Sequence, residues 1–396
     1  MSLAERLAGL DPIGTGAGGV RRLAWTDQDR ATRAWFEEQA KTTGLTVSRD
    51  PAGNLWACPN TAPPWWGVGS HLDSVREGGR FDGPLGVAAG FELADRAGLP
   101  LAVISFADEE GARFNTPTFG SKALTGVLDS EVLARTDDDG VMLADAISAD
   151  GLKPDTLRDA REWLDRLRGF IELHIDQDTR LAEAGAPVGI VTSLASRMRL
   201  EVKFTGRADH AGTTPPAHRR DALGTAARLM IAAEEIGAEL GELTVTSSRI
   251  LVKPNATTTV AAGVRLWIDA RSVDPERPPR WLARLREHAE RLAASTRVEI
   301  AITIASQSAG QEFSPRIRAH LHAAGEALLG RPVPESVCFA GHDAGVLAAR
   351  IPAAMVLVRN ATGISHAPEE HVELADAETG IRVIARAIGA LIEQDR

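Results

Sequence analysis

The chain has 396 residues, of which 44% are hydrophobic and 25% charged, and its formal net charge is −10. This length predicts about two domains, and the composition is that of a water-soluble globular protein. The negative charge argues against nucleic acid or an anionic membrane surface as a main partner, and no apolar run is long enough to span a bilayer.

The cysteines and the N-terminal residues indicate the cellular compartment in which the protein is expected. Cys58 and Cys338 do not form a closely spaced pair, so neither a disulfide framework nor a cysteine zinc site is supported. The start of the chain, MSLAERLAGLDPIG, lacks the apolar stretch of a secretory signal. We therefore expect a soluble protein of a reducing compartment, the cytoplasm.

The first half of the chain predicts an α/β fold, because apolar strands alternate with helices. The predicted elements are, in chain order, a helix over 26–43, strands over 46–50, 54–58 and 65–68, a helix over 86–97, a strand over 101–107, a charged and largely helical stretch over 136–168 and a strand over 170–176. The helix over 86–97, GVAAGFELADRA, is small and apolar, which predicts close packing on a mixed sheet flanked by helices.

From residue 197 the pattern changes to that of a compact α+β unit. The predicted elements are a strand over 197–206, a helix over 222–236, strands over 243–252 and 260–270, a helix over 280–294 and a strand over 298–304. The α/β alternation then resumes and ends with a strand over 353–358 and a helix over 375–392. We therefore predict a discontinuous catalytic domain, residues 1–196 and 309–396, interrupted by an inserted domain at 197–308.

Histidines and carboxylates follow the predicted strands, where loops carry functional groups on a rigid scaffold. The candidates are His71 and Asp82, the run Asp108-Glu109-Glu110, His174, and His366. Each histidine alone is more often a hydrogen-bonded structural residue, and the adjacent glutamates alone are more often a solvated turn. Three imidazoles with several carboxylates nevertheless suit a divalent cation, with zinc as the first choice and cobalt, nickel or manganese as alternatives.

A pair of cations would give each of these side chains a role. Asp82 lies in a Gly-rich loop and would bridge the cations, while Glu110 binds metal and Glu109 stays free to take a proton from water. Asp73 lies two residues after His71 and would orient that ring by accepting its other N–H.

Six stretches of the sequence resemble the dimetal amidohydrolases that act on ureido acids. They are GSHLDSVREGGRFDGPLGV, FADEEGARFNTPTFGSKALTG, ELHIDQ with APVGIVTSLAS, FTGRADHAGTTP with RRDAL, GHDAGVLA, and VRNATGISHAPEEH. This group includes allantoate amidohydrolase, N-carbamoyl-L-amino-acid hydrolase and β-ureidopropionase, and is a branch of the aminoacylase and zinc-carboxypeptidase-like hydrolases.

The resemblance implies a role for each candidate. The implied metal ligands are His71, Asp82 and His174 for one ion, and Asp82, Glu110 and His366 for the other. Hydroxide held by the metals would attack the terminal ureido carbonyl, with Glu109 as general base and later as acid. A histidine at position 174 favours the ureido branch over ordinary peptidases.

The resemblance also implies that the inserted domain is a lid and dimerisation domain. From it, His210 would reach the active site of a partner subunit and polarise the carbonyl oxygen, and Arg271 would bind the substrate carboxylate. The other implied substrate contacts are Gln177, Asn255, Thr258 and His342. Without the resemblance, His210 is simply a loop histidine and Arg271 a surface arginine.

Three positions depart from the family pattern where substrate recognition is expected. Asp178 stands where the family usually has glycine, Thr258 where it has asparagine, and Phe339 among residues that are usually small. Asp178 would add a carboxylate near the substrate pocket, Thr258 loses an amide's donor and acceptor pair, and Phe339 would reshape the pocket. We therefore expect an intact hydrolytic centre with an altered substrate preference.

The implied substrate is a small ureido acid, with allantoate as the first choice and an N-carbamoyl-L-amino acid as the alternative. An aminoacylase or dipeptidase of the wider family and a non-catalytic binding protein that keeps the fold are the remaining alternatives. The expected assembly is a homodimer with two divalent ions per subunit, and neither nucleic acid nor membrane is an expected partner.

Overall fold

A computed structural model describes residues 1–97 and 99–395. The strands are β1 Thr15–Gly16, β2 Gly19–Val20, β3 Thr46–Arg49, β4 Leu55–Cys58, β5 Trp65–His71, β6 Leu101–Phe106, β7 Leu167–Ile175, β8 Val188–Leu194, β9 Ser196–Thr205, β10 Asp209–His210, β11 Leu243–Lys253, β12 Thr259–Val260, β13 Gly263–Ser272, β14 Glu299–Ser308, β15 Gln311–Glu312, β16 Glu335–Cys338 and β17 Ala353–Val358. The α-helices are α1 Leu3–Leu10, α2 Asp27–Thr42, α3 Pro84–Ala97, α4 Phe119–Thr125, α5 Leu143–Ala149, α6 Arg161–Leu164, α7 Arg180–Glu183, α8 Ala222–Leu240, α9 Arg277–Thr296, α10 Pro315–Leu329, α11 Asp343–Leu347 and α12 Leu374–Gln394. Short 3₁₀ helices cover Ser130–Ala134, Pro154–Ala160 and Pro216–His218.

The chain folds into two compact units. The larger unit consists of Met1–Ser193 and Glu312–Arg396, and the smaller unit is Leu194–Gln311. The inserted domain predicted at 197–308 lies within the smaller unit. Its assignment as a lid and dimerisation domain stays a prediction.

The larger unit is built on a mixed sheet flanked by helices, which confirms the predicted α/β class. The strand order is β15-β8-β17-β7-β5-β6-β4-β3, with β16 paired to β8. The four neighbouring strands β17, β7, β5 and β6 run parallel. Their residues are buried almost without interruption, because helices pack on the sheet, and this is why the strands are continuous apolar runs in the sequence.

Helix α3 packs closely on this sheet, as its small residues predicted. A Cβ atom at Gly86 would lie 2.4 Å from the carbonyl oxygen of Leu173 and 2.7 Å from Cβ of Ser70. Position 86 therefore has no room for a side chain, and the helix can approach the backbone of β5 and β7.

The smaller unit has a four-stranded antiparallel sheet in the order β11-β13-β9-β14, and α8 and α9 pack on it. Alternate residues of β9 are buried, including Met198, Leu200 and Val202. This alternation of period two is typical of a sheet with one covered face. Trp281 of α9 is fully buried in the same core and donates its indole N–H to the Ala233 carbonyl at 2.9 Å.

The stretch over 136–168 is less helical than predicted. Only α5, one 3₁₀ helix and the four-residue α6 form there, and β7 already begins at Leu167. Gly140 and Gly151 have positive φ angles of 81° and 83°, and Pro154 follows shortly after. These residues break the backbone into short turns. None of the described helices combines the length and the apolar character that a bilayer crossing requires.

Candidate metal centre

The carboxyl ends of the four parallel strands bring the predicted metal ligands together. His71 ends β5, His174 is the penultimate residue of β7, Glu109 and Glu110 follow β6, and His366 follows β17. Asp82 comes from the loop between β5 and α3. Because neighbouring parallel strands end at the same edge of a sheet, ligands far apart in sequence meet there.

Asp82 lies at the centre of this group, and its two carboxylate oxygens face different histidines. Oδ1 is 3.5 Å from Nε2 of His71 and 3.2 Å from Nε2 of His174. Oδ2 is 3.5 Å from Nε2 of His366, and that nitrogen is 3.5 Å from Oε1 of Glu110. Two donor sets therefore share Asp82, one with the two buried histidines and one with Glu110 and His366.

These separations suit bound cations. Tetrahedral zinc bonds of about 2.0–2.2 Å place neighbouring ligand atoms about 3.3–3.6 Å apart, close to the 3.2–3.5 Å found around Asp82. Nε2 of His174 is buried and has no hydrogen-bond partner. Such a nitrogen is costly to bury unless something binds it, so the donors present fit divalent cations.

Backbone carbonyls set the orientation of the two buried histidines. Nδ1 of His71 is 3.0 Å from the Asp73 carbonyl oxygen, and Nδ1 of His174 is 3.0 Å from the Ile175 carbonyl oxygen. A carbonyl only accepts, so each Nδ1 carries a proton and each Nε2 is the ring nitrogen that faces Asp82. The contact with His71 predicted for Asp73 is thus made by its carbonyl, because its carboxylate is 3.6 Å away.

The Asp73 carboxylate instead positions the loop that carries the glutamates. Its two oxygens accept the backbone N–H groups of Glu109 and Glu110, both at 3.1 Å. Asp108, the preceding residue, has a left-handed backbone with φ 49°. Oε2 of Glu109 lies 3.9 Å from Nε2 of His71, while Glu110 belongs to the second donor set.

Three carboxyl groups, those of Asp82, Glu109 and Glu110, lie close together at this largely buried site. Burial raises the pKa of the Glu109 carboxyl well above its usual range, and burial with the nearby Asp82 raises that of Glu110 to about 8. Burial would also raise the pKa of Asp82, but His174 and His71 hold it well below its usual range. Bound cations would oppose the effect of burial and keep all three carboxylates ionised.

Glu370 supports the centre and was not among the residues predicted from the sequence. Its Oε1 accepts the backbone N–H groups of Phe81 and Asp82, both at 2.8 Å. A Cβ atom at Gly79 would lie 2.0 Å from Cγ of Glu370. Glu370 therefore holds the backbone from which the Asp82 carboxylate projects. The signal in the sequence is a glutamate four residues after His366.

Two of the predicted substrate contacts lie beside the metal ligands. Nε2 of Gln177 donates to Oδ2 of Asp82 at 3.1 Å. The buried His342 ring has its centroid 4.4 Å from that of His174, and burial holds its pKa well below its usual range. Contact of either side chain with substrate stays a prediction.

The remaining predicted residues lie in the smaller unit. His210 is exposed, and its Nδ1 accepts the N–H groups of Gly212 and Thr213 at 3.0 and 3.2 Å, so a neutral ring carries its proton on Nε2. Pairing of β10 with β12 brings His210 close to the exposed Thr258, whose carbonyl accepts the Ala211 N–H.

Arg271 and Asn255 complete the set. Arg271 binds Asp269 through Nε at 2.6 Å and Nη2 at 3.3 Å, one contact to each carboxylate oxygen. Asn255 is exposed between β11 and β12. Their roles toward substrate, like that of His210, stay predictions.

Comparison with known proteins identifies relatives over nearly the whole chain. Residues 67–390 match the peptidase family M20/M25/M40. The chain is 35% identical to an N-carbamoyl-L-amino acid amidohydrolase of Geobacillus stearothermophilus, over 98% of both proteins. It is 30% identical to an allantoate amidohydrolase of Escherichia coli K12, over 95% of this chain and 93% of that protein. A solved hydantoinase/carbamoylase family amidase of Burkholderia vietnamiensis has a TM-score of 0.85 and 31% identity, with 98% of this chain and 96% of that chain covered.

Proposed function

The chain belongs to the peptidase family M20/M25/M40, and on that premise we propose that it is a metal-dependent amidohydrolase of ureido acids. It would cleave the terminal carbamoyl C–N bond. The observation that carries the proposal is the pair of donor sets that share Asp82, with a histidine at position 174. Relatives named for N-carbamoyl-L-amino acids and for allantoate support the carbamoyl group as the part that reacts.

The substrate is proposed to be an N-carbamoyl-L-amino acid, with allantoate as the alternative. This reverses the order expected from the sequence alone, because the relative named for N-carbamoyl-L-amino acids is 35% identical and the allantoate amidohydrolase 30%. Asp178, Thr258 and Phe339 depart from the pattern that the family resemblance leads us to expect, so substrate preference needs a direct test.

Two divalent cations are proposed, with zinc as the first choice. His71, Asp82 and His174 would hold one, and Asp82, Glu110 and His366 the other. When bound, they would supply Lewis-acid polarisation of the ureido carbonyl and a nucleophile at neutral pH. The second set is the open one, because the His366 side chain is 50% exposed while those of His71 and His174 are 1% exposed.

Glu109 is proposed to move the proton in this reaction. The Asp73 carboxylate accepts the backbone N–H of Glu109. The carboxylate of Glu109 lies beside His71 and belongs to neither of the two donor sets that share Asp82. Glu109 would take a proton from the attacking water as the C–O bond forms. It would then give that proton to the leaving nitrogen as the C–N bond breaks. With an N-carbamoyl amino acid this step would release ammonia and leave the N-carboxy derivative of the amino acid, which would then lose carbon dioxide to give the free amino acid.

The smaller unit is proposed to act as the lid and dimerisation domain. His210 of the partner subunit would donate its Nε2 proton to the carbonyl oxygen, since its Nδ1 is occupied by two backbone N–H groups. Turnover that persists in His210→Ala would exclude this role.

A screen for released ammonia tests the proposed function. We expect ammonia from N-carbamoyl-L-amino acids or allantoate when zinc, manganese, cobalt or nickel is supplied, and its loss after chelation. Cleavage of N-acetyl amino acids or dipeptides alone would instead favour an aminoacylase or dipeptidase. A chain that takes up none of these metals and hydrolyses nothing would be a binding protein.

A further inference from the structure

Two of the positions at which we expect a departure from the family pattern, Asp178 and Phe339, meet in one cluster. Nε of Arg180 donates to Oδ2 of Asp178 at 2.7 Å, and Nη2 donates to the same oxygen. Nη2 also donates to the Val337 carbonyl at 3.0 Å. The guanidinium carbon lies 5.8 Å from the centroid of the Phe339 ring. Asp178, Arg180 and Phe339 are called the Arg180 wall below.

The Arg180 wall stands next to the candidate metal centre. Asp178 and Arg180 follow His174 along the chain, and Phe339 precedes His342. The rings of His174 and His342 have centroids 4.4 Å apart. Phe339 lies three residues before His342. Because three residues of extended chain span at most about 10 Å, the backbone of Phe339 lies within that distance of the backbone of His342. Gln177, which lies between His174 and Arg180, donates to the bridging carboxylate at 3.1 Å.

The charges of the Arg180 wall cancel within it. Asp178 accepts two donors of Arg180, so it does not present the free carboxylate that the sequence led us to expect. The surface that faces solvent consists of a half-buried ring and a partly exposed ion pair, in which Asp178 balances the charge of Arg180. Such a surface takes up space and offers no unbalanced charge to a ligand.

We propose that the Arg180 wall is the subsite for the substrate's side chain and restricts it to small, uncharged groups. This rests on the proposed function, because the wall would select the amino-acid part of a ureido acid whose carbamoyl group reacts at the metal centre. The ring and guanidinium would clash with bulky side chains. Charged side chains would be desolvated without a counter-charge.

The test compares kcat/KM for the N-carbamoyl derivatives of L-alanine, L-methionine and L-aspartate. The wild-type chain should prefer alanine to both others by about tenfold or more, the size of effect that one pocket contact provides. Phe339→Ala should raise the methionine-to-alanine ratio by about tenfold, because space opens. The aspartate ratio should stay low in this variant.

Charge variants separate shape from electrostatics. Asp178→Asn keeps the shape and leaves the Arg180 charge unbalanced, so it should raise the aspartate-to-alanine ratio by about tenfold. Arg180→Met leaves Asp178 unbalanced and should lower the same ratio. Arg331→Met is the matched control, because Arg331 is exposed and donates to the Gly185 carbonyl at 2.6 Å; both ratios should be unchanged.

Binding to the Glu109→Gln chain, measured by calorimetry, gives the same ranking without turnover. If the three wall variants keep both ratios within about twofold of wild type, well below a pocket contact's effect, the wall is not the side-chain subsite. Failure of the proposed function would give a different result from failure of the subsite. N-acetyl amino acids would then be hydrolysed and N-carbamoyl amino acids would not. The side-chain ratios would then be measured on the N-acetyl series and would still decide the role of the wall.

Discussion

Glu109→Gln is expected to lower kcat by about 10³-fold, within the range of about 10²–10⁴ that general acid–base catalysis contributes. Glutamine has the size of glutamate but cannot take the proton from water or return it to the leaving nitrogen. Its backbone N–H would still be held by Asp73 at 3.1 Å. Glu109 lies with His71 and Glu110 in a further group of possible metal donors, but it is in neither of the two sets that share Asp82, so we expect the metal content to be unchanged.

Released ammonia and bound metal are measured on the same protein to check this. Glu287→Gln makes the same chemical change at an exposed position of α9 and should behave as wild type. A Glu109→Gln chain that keeps full metal content and turns over within tenfold of wild type would show that another group moves the proton.

Asp82→Ala is expected to remove metal from both donor sets, and with it all detectable turnover. Asp82 is the one residue that the two sets share, with Oδ1 toward His71 and His174 and Oδ2 toward His366. Removing this carboxylate would also leave the buried imidazoles of His71 and His174 without a negative partner beside them. Glu110→Gln, in contrast, alters the second set alone and should cost one ion.

Elemental analysis of the purified chain, together with thermal unfolding, distinguishes these outcomes. Asp145→Ala is the matched control, because it makes the same chemical change at an exposed position of α5. If Asp82→Ala keeps one ion per chain while Glu110→Gln keeps none, Asp82 is not the bridge. A folded Asp82→Ala chain with normal turnover would refute the metal centre altogether.

The positions of the ligands along the chain were predictable from the sequence. Buried parallel strands appear as uninterrupted apolar runs, so the residues that follow 65–68 and 101–107 could be recognised as strand ends. The fold class followed from the alternation of such strands with helices. The stretch over 136–168 was misjudged, because its charged residues resembled helix surfaces while its glycines and proline divide it into short turns.

The contacts that hold the ligands were not predictable. The Asp73 carboxylate accepts backbone N–H groups from residues 36 and 37 positions further along the chain. Glu370 accepts the backbone N–H of Asp82, which lies 288 positions away. Which carboxylate accepts which amide depends on how loops from different strands pack, and no periodicity in the chain encodes that. Asp73 was therefore assigned to His71, its neighbour in sequence, although its carboxylate serves the glutamate loop.

The sequence by itself determined the donor types and the strand ends at which they stand, because residue chemistry and local hydrophobic patterning are properties of short segments. The sequence had already implied that Asp82 belongs to both donor sets, and the tertiary structure decided the geometry, with Oδ1 toward His71 and His174 and Oδ2 toward His366. The tertiary structure also decided that Asp178 is balanced by Arg180 beside Phe339, a ring more than 150 residues further along the chain. A carboxylate acts as a charge or as half of an ion pair according to its neighbours in space, and only packing brings those neighbours together.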